Sequence, residues 1–363
     1  MGQVKITTSR TRFSSKCIRW FFLIGISVFL VWIMTVCHIP AGWMIGPMLA
    51  GIIFAVINIR LKVNRWGYHG SQAVIGCLIA TSLTQNILHE MIKDWPLFLL
   101  VIGVVMILSW GLGLVLAKWN VIPPDVAIWG ASPGAASAMV IMAKAFGSDE
   151  RLVACMQYIR VLLVVLVASV VASIVTGSGS MTHSLFEGWA VLPDGWNLSM
   201  TLLLIVGGVI LGHIARIPAG SMLVPMLLGT FLHLMGWIVI DLPEVLLVLS
   251  YSLIGWQIGL GFDRDILRTS LKALPRIVFS NLILIALCGI LGMGVSYWFH
   301  VDPLSAYLAT SPGGANTVAV IALSTPVDVA FIMALQTCRL MIIILTGPWI
   351  SQSLMKFRKH RDV

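Results

Sequence analysis

Two pairs, Gln157 with Arg160 and Gln336 with Arg339, stand inside apolar runs long enough to enter a bilayer. Three residues apart on a helix, an amide and a guanidinium share one face. The guanidinium is always charged and offers five N–H donors in a planar fork, a shape that matches carboxylate or phosphate. Each arginine lies eleven residues after an aspartate, Asp149 or Asp328. That is about 16 Å of helix, which sets each charge near mid-bilayer. A charge at that depth costs about 2.5 kcal/mol or more and usually faces a cavity or a partner. None of the fourteen acidic residues falls in the middle of a span. Two partners therefore stay open: an anion supplied from outside, or carbonyls at the ends of broken helices.

Upstream of each pair is a second polar phrase, GASPGAASAM at 130–139 and ATSPGGANTV at 309–318. Serine followed by proline ahead of a helical stretch predicts a helix start. Ser132 and Ser311 would be N-caps, and the prolines would sit at the first helical position, where the missing N–H costs nothing. Gly134, Gly313 and Gly314 would bare the backbone, with Ser137 and Asn316 adding polar groups one turn on. A helix that begins inside a membrane turns unsatisfied N–H groups and a positive dipole end toward a cavity, which makes an anion site. These seven residues, with Arg160, Arg339, Gln157 and Gln336, form the candidate substrate-binding set. Close packing of helices is the competing use of such small residues.

The elements that must position them follow from composition. The chain has 363 residues, 59% hydrophobic and 10% charged, with a mean hydropathy of +0.99. Soluble domains carry roughly 25% charged residues, so this composition predicts an all-α polytopic membrane protein. The net charge of +9 has a membrane explanation, because cytoplasmic loops collect Lys and Arg. No aromatic and basic stripe points to nucleic acid. The basic N-terminus followed by an apolar run resembles a signal peptide, but residues 20–37 offer no small-residue cleavage site and are read as an uncleaved helix.

The halves repeat. Ile39-Pro40-Ala41-Gly42 returns as Ile217-Pro218-Ala219-Gly220, Ile75-Gly76 as Ile254-Gly255, and Ser132-Pro133-Gly134 as Ser311-Pro312-Gly313. Three blocks in order at a nearly constant offset, 178 and then 179 residues, indicate internal duplication. If every apolar run crosses the bilayer, the second half contradicts its own charges. If 126–146 and 304–324 instead dip in and return, twenty of the 23 Lys and Arg residues fall on the cytoplasmic side. Only Lys93 lies outside, with Arg160 and Arg339 inside helices. The prediction is two inverted repeats of five spanning helices, each with one re-entrant or broken helix. The boundaries are a basic cytoplasmic tail 1–19, repeat one 20–176, a periplasmic loop 177–197, repeat two 198–352 and a basic tail 353–363.

IPAGWMIGPMLAG near the start, with SPG and QxxR in both halves, resembles the AbrB-type duplicated membrane proteins of bacteria. These are catalogued under an ammonia monooxygenase label and are distinct from the DNA-binding regulator of the same name. The resemblance spans roughly residues 20–352 and implies a bacterial inner-membrane protein. Inverted repeats with re-entrant elements are also the plan of several secondary anion transporters. The residues favour a transporter of a small organic anion, with a carboxylate as the first choice. A translocase of lipid-linked phosphate is the alternative, and a membrane monooxygenase a third. The six cysteines form no CxxC, and the eight histidines no i, i+3 or i, i+4 pair, so no cofactor and no enzymatic activity are expected. Expected partners are the small anion, the lipid bilayer, and Na⁺ or a proton as coupling ion. Self-association is left open.

Overall fold

The computed structural model describes residues 9–37, 39, 41–59, 61–83, 95–119, 122–133, 139–140, 143–144, 147–176, 194–215, 220–262, 264 and 273–359. Its regular elements, among the described residues, are thirteen helices. The first half supplies α1 (Ser9–Val36), α2 (Gly42–Val56), α3 (Arg65–Ser82), α4 (Trp95–Lys118), α5 (Pro124–Ala131) and α6 (Glu150–Thr176). The second supplies α7 (Gly195–Ile214), α8 (Gly220–Leu234), α9 (Glu244–Gly259), α10 (Leu274–Phe299), α11 (Pro303–Thr310), α12 (Ala315–Leu323) and α13 (Val329–Lys359). The expected loop at 177–197 lies outside the described residues up to 193.

Among the described residues, five helices (α1, α4, α6, α7 and α10) are long and apolar enough to cross a membrane. Their outer faces carry side chains that only lipid would tolerate in such number, including Phe21, Ile174, Leu203 and Met293, each at least 68% exposed. Exposed tryptophans mark helix ends: Trp66 opens α3, Trp95 opens α4, Trp196 opens α7 and Trp298 closes α10. Amphipathic rings at that height are the interfacial belt of a membrane protein. This is a helical membrane protein.

Three acidic residues are absorbed at helix starts. Asp149 Oδ1 accepts from Arg151 N, Asp302 Oδ2 from Ser305 N, and Asp328 Oδ1 from Phe331 N. Each satisfies an N–H that has no intrahelical acceptor. They are caps, and among the described residues no carboxylate pairs with the deep arginines.

The halves hold each other reciprocally. Helix α2 packs on α9 and α3 on α8. At the first crossing Gly255 backs onto the carbonyl of Met44, and at the second Gly76 backs onto the carbonyl of Met222. These are matched positions of the two halves (76 with 255, 44 with 222), so each half makes the contact it receives. Proline sharpens the fit. Pro47 inside α2 has no N–H for the carbonyl of Trp43, one turn back. Ser252 of α9 donates to that oxygen at 3.4 Å. A side chain at 255 would meet backbone, which cannot swing away. Gly255→Val should therefore part α2 from α9 and cost about 3 kcal/mol. Gly294→Val, whose new carbon meets nothing within 4 Å, should be near neutral. Melting of the two purified variants in one detergent checks this.

Candidate functional site at the helix breaks

Helices α5 and α11 stop at the same phrase for a local reason. Pro133 and Pro312 disfavour helical backbone at the residue before them. Ser132 (φ −59, ψ 124) and Ser311 (φ −56, ψ 140) accordingly turn out of the helix. The expected N-caps are thus the C-caps of the preceding helices. The next helix in the second half begins three residues later than the SP phrase suggests, with Gly314 as N-cap of α12. Two successive glycines after the proline do not sustain a helix, which accounts for the offset.

A helix that ends in an apolar interior leaves carbonyls that must find donors. The Gln and Arg pairs supply them. Gln157 Nε2 donates to Trp129 O at 3.0 Å and Ser132 O at 3.1 Å, and Arg160 Nη1 to Ala131 O at 3.1 Å and Ser132 O at 2.9 Å. In the second half Gln336 Nε2 donates to Leu308 O at 2.9 Å. Arg339 Nη1 donates to Ser311 O at 2.6 Å and Nη2 to Gly313 O at 2.7 Å. In both pairs the amide oxygen accepts from Nη2 of its arginine. Each positive charge therefore lies against the negative end of a short helix. Of the two partners the sequence left open, carbonyls are present for both arginines.

The arginines differ in what else they face. Arg339, Gln336, Gly313, Gly314 and Asn316 line one cavity of about 130 Å³. Arg160, Gln157, Ser132 and Ser311 are buried beside it but do not line it. Gly134 and Ser137 lie outside the described residues. Three of the five N–H groups of Arg339 are bonded within the chain, which leaves Nε and one hydrogen of Nη1. As the first residues of α12, Ala315 and Asn316 also carry N–H groups with no intrahelical acceptor, and both residues line the same cavity. No Asp or Glu is among its described lining residues. A charged fork, two backbone donors and no carboxylate together can take one small anion.

Residues matched to the AbrB family model, described as "Transition state regulatory protein AbrB", run from 43 to 355. The chain belongs to the AbrB family. It is 42% identical over 345 residues to a protein of Escherichia coli (strain K12) printed as "Putative regulator AbrB", covering 95% of this chain and 99% of that protein. It is 25% identical over 354 residues to "Uncharacterized protein YhjN" of Bacillus subtilis (strain 168), covering 91% of each. No solved structure matches it. With its apolar helices this AbrB chain is of the membrane type and not the DNA-binding regulator.

The opposite wall of the cavity in this AbrB-family member was not singled out by the sequence. Tyr68 and Gln72 come from α3, Tyr158 from α6 and Gln257 from α9. Gln72 Nε2 donates to Tyr68 Oη at 3.2 Å, and Asn316 faces the same hydroxyl. The available signal was an amide inside an apolar run, the property that distinguished Gln157 and Gln336. Among the described residues no three His, Cys, Asp or Glu side chains come together as a metal centre would need.

Proposed function

We propose that this chain is a secondary transporter of a small organic anion, a carboxylate by preference, which it binds at the break between α11 and α12. The observation that carries the reading is the cavity where the buried Arg339 faces the first N–H groups of α12 with no carboxylate among the described lining residues. Its size, about 130 Å³, is below the roughly 300–1,000 Å³ of pockets for drug-sized ligands, so the ligand is small. Apolar walls from Met222, Ile254, Ile258 and Leu340 suit a short carbon skeleton behind the charged group.

In this reading the halves are inverted repeats in the bacterial inner membrane, with both termini cytoplasmic. The Lys and Arg distribution supports that orientation, and the reciprocal α2/α9 and α3/α8 contacts support a two-fold relation. The hydrogen bond from Asp328 N to Ser305 Oγ, 2.8 Å, joins the start of α13 to the start of α11. That closure supports a re-entrant segment whose tip is the SPGG turn. Movement of one half against the other would carry the anion, driven by an ion gradient or by its own. Arg160 secures the matching break in the first half. The activity is translocation and involves no enzymatic step.

The test is a thermal-shift screen of the purified protein against mono- and dicarboxylates and inorganic phosphate, with and without Na⁺. A ligand at a hundred times its Kd should stabilise the fold by about 2.7 kcal/mol. A flat response to every carboxylate would sink the reading.

A further inference from the structure

A second cavity, about 270 Å³, adjoins the first and shares Tyr68 and Gln257 with it. Its lining includes Lys62, Arg65 and His69, and no Asp or Glu is among its described lining residues. Lys62 and Arg65 are exposed, while His69 is fixed by a 3.0 Å hydrogen bond between its Nδ1 and Ser221 Oγ. One face of α3 links the two spaces. Arg65, Tyr68 and Gln72 follow at helical spacing, so a basic rim leads past a tyrosine to an amide of the inner cavity. Both ends of this path favour anions, with the Lys62 and Arg65 charges outside and Arg339 inside.

We propose that the outer cavity is an anion-collecting vestibule, and that Tyr68 and Gln257 form the partition through which a small anion passes to Arg339. This rests on the transport reading for its destination and on the positive-inside orientation for its side of the membrane. A cleft lined by one sign of charge concentrates counter-ions and raises their arrival rate by about 10- to 1,000-fold, an effect that salt screens. Among the described lining residues, neither cation has an acidic neighbour that would cancel this field.

The test uses charged thiol reagents, so it does not require the transported anion to be known. Asn316→Cys places a thiol in the inner cavity of a chain that keeps the buried Cys77, Cys155 and Cys288 and has Cys17, Cys37 and Cys338 replaced. The anionic sulfonatoethyl and cationic trimethylammonioethyl methanethiosulfonates are then applied to inside-out phosphatidylcholine vesicles. Adding Lys62→Gln with Arg65→Gln should lower the anion-to-cation rate ratio about tenfold at low salt and by much less at high salt. Arg339 is intact in both chains, so the difference reports the vestibule alone. An unchanged ratio overturns the proposal, as does reaction only from the opposite face. Loss of the ratio on adding phosphatidylglycerol would assign the two cations to lipid headgroups and overturn it too. The outcome is separable from the transport reading: a tenfold change with no carboxylate response in the thermal screen would fault transport and leave the vestibule standing.

Discussion

Arg339→Gln should weaken anion binding more than tenfold in a protein that still folds, whereas Arg160→Gln should damage the fold. The two residues look equivalent in sequence, but their surroundings differ. Arg339 borders the cavity and keeps two N–H groups that the chain does not use. Glutamine there removes the charge and the fork, so affinity should fall by about 1.5–3 kcal/mol, which is more than tenfold. The carbonyl of Gly313, which lines the cavity, can be hydrated from it, and Gln336 still holds Leu308 O and Ser311 O. Arg160 is 2% exposed, does not line the cavity, and supplies the donor to Ala131 O. Its loss strands the half-buried acceptor Ala131 O and leaves the buried Ser132 O to Gln157 alone, at a cost of about 1–3 kcal/mol, and should lower the melting temperature before it touches affinity. Lysine at 339 should rescue in part, since it restores charge without the fork. Binding by titration and melting of the same preparations measure both effects. Equal, non-additive losses of affinity at both positions, with melting unchanged, would instead mean that the arginines share one ligand.

The sequence made these positions visible but not their difference. Long apolar runs made a helical membrane protein legible, because a span of lipid requires length and little else. The interruptions at Pro133 and Pro312 were equally legible as breaks. Which serine caps which helix was not, since the restriction that proline imposes on its predecessor competes with its preference for a helix start. Here two following glycines moved the restart to Ala315. The aspartates at 149 and 328 were correctly near helix starts, and their capping bonds explain why they leave the arginines alone. Tyr68, Gln72 and Gln257 could not be placed beside Arg339 by reasoning along the chain. Tyr68 and Gln72 depend on α3 of the first half meeting α12 and α13 of the second, and Gln257 on α9 packing against α3, with α3 held close to α8 at Gly76 and α9 close to α2 at Gly255.

Gly314→Leu should abolish ligand binding while leaving the melting temperature nearly unchanged. The backbone at Gly314 has φ −75 and ψ 141, an extended conformation open to any residue. A carbon added there meets only Thr317 Oγ1, at 3.6 Å, which is ordinary contact. The rest of a leucine side chain must then enter a cavity of about 130 Å³, in front of the N–H groups of Ala315 and Asn316. Gly313 cannot serve this test as cleanly. A carbon at 313 would approach methyl groups of Val164 and Val318 at 2.9 Å, so Gly313→Leu mixes overpacking with occlusion. Gly314→Ala, one carbon instead of four, should bind more weakly than the natural chain but measurably. A graded loss from alanine to leucine at constant stability is the signature of a filled site. Full binding by Gly314→Leu would place the anion elsewhere, and a fall in melting equal to that of Gly255→Val would make the glycine a packing residue.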